Sequence, residues 1–312
     1  MRKSAKLSVI INPASGGGKG VSLYKKVNDA IKSDPSLRRN IAHVEYTHPE
    51  KEQGHYKKII GSSRIILICG GDGTVHRLVN LLKKSSYNGS IAIFPMGTGN
   101  DLVRTLGVFE KDVIGFMRKL IGKPRKVNLD VFSLNAKVFF TNYVSFGIDA
   151  WVVSKYEKTV NALNGSPIYK LPFLKYIIYA TLGMYALLFY DKKLREAKSG
   201  QPCAVIILNG LKTYAGGSVY CENSSINDRK IELSYFPAKL DYLKLILNRT
   251  KLYRPAHAAE SMDTPLVLRF HIITTTTTQD APVEIAGEDY TAFFKGCREF
   301  TVSYAGSIEV CI

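Results

Sequence analysis

A chain of 312 residues with 46% hydrophobic content and no low-complexity tract has room for two domains with cores of their own, which excludes a disordered or fibrous protein. A formal net charge of +17 asks for an anionic partner; no zinc-finger or RNA-binding aromatic signature accompanies it, so nucleic acid is set aside in favour of a polyanionic substrate or an anionic membrane surface. The five cysteines, Cys69, Cys203, Cys221, Cys297 and Cys311, form no C-x-x-C pair, which speaks against a zinc site or disulfide framework and for a reducing cytoplasm.

The basic start Met1-Arg2-Lys3-Ser4-Ala5-Lys6 leads into an apolar run only one strand long, so a cytoplasmic location without export is expected. That run, residues 7–11, enters the loop Asn12-Pro13-Ala14-Ser15-Gly16-Gly17-Gly18-Lys19-Gly20. No Gly-Lys-Ser/Thr closes it as in a Walker A loop, yet a glycine loop with a cationic Lys19 can fold over polyphosphate. A helix is expected over residues 21–33. The apolar run 64–69 then reads as a buried strand ending in Gly70-Gly71-Asp72-Gly73-Thr74, followed by helix-like residues 76–84. Such a junction leaves backbone N–H groups bare at a helix N-terminus, where phosphate binds, and Asp72 offers a carboxylate for Mg²⁺ or for a proton. Taken alone, Gly-Asp-Gly is equally ordinary turn chemistry. A further strand, residues 91–95, runs into Met96-Gly97-Thr98-Gly99-Asn100-Asp101, and a helix over residues 112–121 closes at Pro124. Three loops at the carboxyl ends of strands in a βαβ pattern stand where open α/β sheets bind ligands.

From residue 126 onward β-type segments dominate: 128–134, 138–146, 204–208, 231–236, 266–278 and 300–304. They suggest a mainly β, sandwich-like second domain. One helical insert, residues 169–190, is apolar but interrupted by Pro172 and Lys175, too short to span a bilayer comfortably. It is either a buried core helix or one that lines a lipid chain and touches the membrane; Lys170, Lys192 and Lys193 at its ends favour the second. The six histidines show no metal-ligand spacing and are assigned to packing.

The matching motifs are Asn12-Pro13-x-Ser15-Gly16; Gly70-Gly71-Asp72-Gly73-Thr74 with Asn80 behind it; Pro95-x-Gly97-Thr98-Gly99-Asn100-Asp101 with Arg104; Gly147-Ile148-Asp149-Ala150; Asn209 with Gly216-Gly217; and Gly287-Glu288. In this order and over nearly the whole chain they resemble the diacylglycerol kinase catalytic-domain family, which includes bacterial lipid kinases and the sphingosine kinases. The resemblance implies a nucleotide-binding α/β domain over residues 1–126, with a parallel sheet, helices on both faces, and completion by residues of about 295–312. It implies a β-rich lipid domain over 127–294 with the insert at about 169–195, and an active site in the cleft between them. ATP and Mg²⁺ would be the cofactors, and the γ-phosphate would pass to a hydroxyl of diacylglycerol or a related lipid. Asn12, Ser15, Gly16, Lys19, Gly70, Gly71, Asp72, Gly73, Thr74, Gly97, Thr98 and Asn100 would hold nucleotide, with Thr47 beside the adenine. Asp72 and Glu288 would be the catalytic and Mg²⁺-binding acids, Asp101 and Asp149 would lie near the substrate hydroxyl, and Asp228 would belong to a structural metal loop. The partner would be a lipid at an anionic membrane, reached by peripheral association, with homo-oligomerisation left open.

Three positions depart from the family pattern. Ala286-Gly287-Glu288 stands where relatives usually carry Asp-Gly-Glu, and alanine can neither accept a proton nor bind metal. His76-Arg77 replaces a common Asn-Glu, and Asn227-Asp228-Arg229 replaces two aspartates and a glycine, which speaks against the structural metal. Two alternatives therefore accompany the lipid kinase: a catalytically weakened nucleotide- and lipid-binding homologue, or a kinase of a soluble substrate, since NAD kinases share the Gly-Gly-Asp-Gly turn. The apolar segment 169–190 argues against the latter.

Overall fold

Strands covered on both faces read as nearly unbroken apolar runs, and such runs build the centre of this molecule. The structure, a computed structural model, describes residues 6–48, 52–97, 99–163, 174–194, 203–214, 217–218, 224–242, 260–269 and 282–312. The chain runs β1 (Leu7–Ile11), α1 (Ser15–Ser33), α2 (Pro35–Asn40), β2 (Ile41–Tyr46), α3 (Glu52–Ser62), β3 (Ile65–Gly70), α4 (Asp72–Lys84), β4 (Ser90–Pro95), α5 (Asp101–Leu106) and α6 (Val113–Ile121). It continues with β5 (Lys126–Leu134), β6 (Val138–Phe140), β7 (Tyr143–Gly147), α7 (Ile148–Leu163), α8 (Leu174–Leu194), β8 (Ala204–Leu208), β9 (Thr213–Tyr214) and β10 (Gly217–Ser218). The last elements are β11 (Ile231–Phe236), β12 (Glu260–Met262), β13 (Leu266–Arg269), β14 (Val283–Ile285), β15 (Glu288–Asp289) and β16 (Glu299–Cys311).

Strands β2, β1, β3 and β4 lie in that order and pair in parallel. The sheet continues through β16, β5 and β6, with β13 also on β16. A second, antiparallel sheet has the order β12-β11-β8-β7-β14-β15. A parallel α/β sheet joined to a mainly β second sheet is the combination expected from the sequence.

The seam is β16. Its end pairs in parallel with β4, Glu309 against Ser90 and Val310 against Ile91. From Val302 to Cys311 it pairs antiparallel with β5, across an irregularity between Tyr304 and Ser307, and Glu299 to Val302 hold β13. The expected strand at 300–304 is thus the start of a 13-residue strand, because the polar residues Ser307 and Glu309 that end its apolar pattern pair with Asp130 and Asn128 of β5, and Glu309 also with Ser90 of β4. The expected strand at 138–146 is instead two strands, β6 and β7. Helix α7 was hidden by its turn-like opening Gly147-Ile148-Asp149-Ala150. The far ends of two expected segments, residues 169–173 and 270–278, lie outside the described residues.

Phe300 of β16 is fully buried and faces the second sheet, its ring centroid 4.9 Å from that of Phe146 on β7 and 5.6 Å from that of Phe294. Removing that ring opens a cavity at the junction. Phe300→Ala is expected to lower unfolding free energy by about 3–5 kcal/mol and Phe300→Leu by much less, read from guanidinium denaturation of the whole chain.

Candidate active site

The three loops that follow β1, β3 and β4 come together. The Asn12 carboxamide donates to the Thr74 hydroxyl at 2.8 Å and accepts the Ala14 N–H at 3.0 Å, tying the first loop to the first turn of α4. The Asn12 N–H donates to the Cys69 carbonyl at 3.0 Å, and the Met96 N–H to the Gly70 carbonyl at 3.0 Å. Gly71 and Gly97 meet backbone to backbone: a Cβ on Gly97 would stand 2.6 Å from the Gly71 Cα, so neither turn tolerates a side chain there. The element α1 opens with Gly16, Gly17 and Gly18 in left-handed conformation, φ 63, 73 and 91°, which carries the loop toward the β4 turn before the regular helix begins.

Beside these turns, between the first loop with α1, the β4 turn and α5, lies an open cleft of about 830 Å³, lined among others by Gly16, Lys19, Met96, Gly97, Asn100 and Arg104. Two helix N-termini begin at the β3 and β4 turns, and they differ. At α5 the Asp72 carboxylate already accepts the N–H groups of Asp101 at 3.2 Å and Leu102 at 3.3 Å. At α4 the N-cap residue is Gly71, with no side chain to accept a donor. The α4 terminus is therefore the one whose N–H groups and dipole remain for an anion.

Asp72 also accepts the Asn142 amide at 3.0 Å, and Asp101 accepts the Thr213 hydroxyl at 2.5 Å. Both carboxylates flank Gly99: a Cβ there would lie 3.2 Å from one oxygen of Asp72 and 3.4 Å from one of Asp101. Burial, and then the charge of Asp101, push the Asp72 carboxyl above the ordinary carboxylate range, against the pull of the α5 backbone N–H groups. Asn142 and Thr213 carry no local sequence signal, because each reaches its acid over a long chain separation.

Asn12, Gly16, Lys19, Gly70 to Thr74, Gly97, Asn100 and Asp101 are thus gathered around one site, with Ser15 in the same first loop. Thr98 lies outside the described residues. Thr47 sits at the end of β2, its N–H bound to the Ile11 carbonyl at 2.9 Å, and is not among the residues lining the cleft. Glu288 reaches the site with one oxygen over Gly73, and its other oxygen is held by the Arg77 guanidinium, a partner the sequence did not indicate. Asp149 is corrected: it is 1% exposed, and Tyr214 and Tyr242 donate their phenol hydroxyls to its two oxygens, so it does not face a substrate. Asp228 accepts the Lys230 N–H at 2.9 Å, and among the described residues no three His, Cys, Asp or Glu side chains assemble as metal ligands.

Helix α4 is pinned from behind. The Asn80 carboxamide donates to the Phe139 carbonyl at 2.6 Å and accepts its N–H at 2.8 Å, and His76 Nε2 bonds the Tyr290 hydroxyl at 2.7 Å. Burial, and then the positive charge of Arg77, hold the His76 imidazole at about 3, below its ordinary 6.5. A depressed pKa gives stability that is complete above pH 6.5 and lost as pH falls through the window from 6.5 to about 3, at about 1.4 kcal/mol per unit. His76→Gln keeps a partner for Tyr290 and gains no proton. It is expected to flatten that acid slope, read as the difference in urea midpoints between about pH 7 and pH 5.

Residues Ile285 and Glu288 pair across a two-residue turn, Ala286-Gly287, with φ 52 and 84°. Two positive φ values are the demand of a type I′ turn, which favours Asn-Gly and Asp-Gly. Alanine is strained there. Ala286→Gly is expected to raise unfolding free energy by about 1 kcal/mol in chemical denaturation.

Residues 6–133 match the family model described as the diacylglycerol kinase catalytic domain. Among curated proteins, the chain is similar to diacylglycerol kinase zeta of Homo sapiens, 27% identical over 181 residues that cover 50% of this chain and 19% of that protein. It is also similar to a Staphylococcus carnosus protein whose name proposes a lipid kinase, 27% identical over 173 residues, 55% of this chain and 54% of that one. The match to the human relative thus spans about a fifth of its length, and that to the bacterial one about half. A crystal structure of a diacylglycerol kinase from Bacillus anthracis superposes with a TM-score of 0.61 at 15% identity, covering 100% of this chain and 98% of that one. Residues 6–133 are thus similar to the diacylglycerol kinase catalytic domain, and the fold is shared along the whole chain.

Proposed function

We propose that this protein is an ATP-dependent kinase that phosphorylates a hydroxyl of diacylglycerol or a related lipid at an anionic membrane surface. The observation that carries the reading is the glycine-capped N-terminus of α4 where three glycine loops meet, beside Asp72 and Asp101 and next to the cleft that Lys19 lines. Phosphoryl transfer asks the protein chiefly for positioning and charge stabilisation. The α4 N–H groups and Lys19 would hold the phosphates, and Asn100, whose carboxamide closes the 97–100 turn through Gly97 N–H at 3.0 Å and Gly97 carbonyl at 2.6 Å, keeps the cleft shaped. Mg²⁺ bound with triphosphate would offset the phosphate charge and typically uses one or two protein carboxylates, which Asp72 and Asp101 fit. Asp72, with its proton affinity raised by burial, suits acceptance of the hydroxyl proton.

The lipid side is supported by α8. Ile177, Met184 and Leu188 share one face, each about three-fifths exposed, while Ala186 on the opposite face is buried. Among the described residues no helix is long and apolar enough to cross a membrane. An exposed apolar face on a chain of net charge +17 fits a helix lying in the interface of anionic lipid. Leu188→Glu is expected to lower sedimentation with phosphatidylglycerol vesicles about tenfold or less, and to leave unfolding midpoints unchanged; undiminished sedimentation would count against this face.

A weakened homologue is the second reading, favoured by Ala286 and by the Arg77 contact to Glu288. Labelled ATP with Mg²⁺, offered vesicles containing diacylglycerol, sphingosine or monoacylglycerol, decides between them. Transfer by the wild type is expected, and at a similar rate in Ala286→Asp, since Asp72 takes the hydroxyl proton. Transfer by the aspartate variant alone would establish the weakened form. Silence from both would overturn the kinase reading.

A further inference from the structure

Asp149, in the first turn of α7, and Glu284, on β14, are 1% and 2% exposed, hydrogen bond each other, and take no part in the chemistry proposed above. Tyr214 of β9 and Tyr242 after β11 donate phenol hydroxyls to Asp149. Ser145 of β7 donates to Glu284 at 2.5 Å, and the Tyr143 phenol on the same strand also bonds Glu284. Tyr179 of α8 is the remaining titratable neighbour. Among the described residues, the polar partners of the pair are thus phenols and an alcohol.

Carboxylates only accept, so a carboxyl-to-carboxyl hydrogen bond contains a proton, and two buried anions in contact do not both stay ionised. Which group carries it follows from the surroundings. Asp149 receives two phenols and sits in the first turn of a helix, where the dipole favours an anion. Glu284 receives one phenol and one weaker alcohol, in the middle of a strand. Burial, and then the charge of Asp149, hold the Glu284 carboxyl well above its usual range, in the same direction.

The pair also sits between two parts of the candidate site. Glu284 belongs to the hairpin that presents Ala286, Gly287 and Glu288, and α7 grips that hairpin a second time where Glu157 accepts the Asp289 N–H at 3.1 Å. On the other side Tyr214 follows Thr213, the donor to Asp101.

We propose that Asp149 and Glu284 share a single proton, resident on Glu284, and act as positioning residues that clamp the Glu288 hairpin and the Thr213-Tyr214 strand around the transfer site. Only the functional consequence rests on the kinase reading.

Infrared spectra of the whole chain near pH 8 test the proton. A protonated-carboxyl band is expected in the wild type and in Asp149→Asn, and not in Glu284→Gln. Absence of the band, or its loss in Asp149→Asn with survival in Glu284→Gln, overturns the assignment. Amide exchange of the 283–290 peptide tests the clamp. Glu284→Gln, which keeps a donor toward Asp149, is expected to exchange like the wild type, and Glu284→Met on the order of tenfold faster. Equal exchange in Met and wild type, or failure of Gln to rescue, overturns it. Neither readout needs lipid phosphorylation, so an inactive enzyme would sink the kinase reading and leave the clamp standing or falling by its own measurements.

Discussion

The approach of two glycine backbones is the constraint on which the rest of the site depends. Gly71 and Gly97 touch without side chains, and the β3 and β4 turns can meet only because of it. Once they are in contact, Asp72 is close enough to cap α5, and α4 is left with a glycine N-cap and unspent donors. The division is physical: one helix terminus is neutralised by the protein itself, and the other is kept for a ligand. Asn12 extends the same arrangement to the first loop by bonding Thr74.

Around that centre the charges are arranged by long-range contacts. Arg77 turns toward Glu288, and the two hold α4 against the β14–β15 hairpin. His76, one residue earlier, is neutral and bound to Tyr290 on the same side. Both contacts join α4 to the second sheet. They make the position of Glu288 a property of the assembled molecule, and the positive φ of Ala286 is carried within the same turn. A strained turn and an ion pair beside a catalytic-type acid form one structural unit, which is why Ala286 and Arg77 are best interpreted together.

Local motifs were legible where the chemistry is local. The strand, glycine turn and helix sequence around Gly70 to Thr74 could be read because a buried apolar run, a turn and an amphipathic helix each leave a short-range pattern. The same holds for Met96 to Asp101. Asp149 misled for the opposite reason: Gly147-Ile148-Asp149-Ala150 resembles a turn that presents its acid outward, yet Tyr214 and Tyr242, far away in the chain, enclose it. Arg77 read as a solvated residue or an anion-binding one until the hairpin supplied its partner.

The sequence by itself determined the βαβ order, the three glycine-rich loops, the change to β-rich texture after residue 126 and the likeness of residues 6–133 to a known catalytic domain, because hydrophobic periodicity and glycine placement act over a few residues at a time. Only the tertiary structure decided that β16 joins both sheets, that Asp72 caps α5 beside Asn142, that Glu288 is paired, and that Asp149 faces Glu284 instead of a substrate. Each of these depends on side chains separated by tens to hundreds of positions, whose meeting is set by sheet order and packing, and no local pattern in the chain records it.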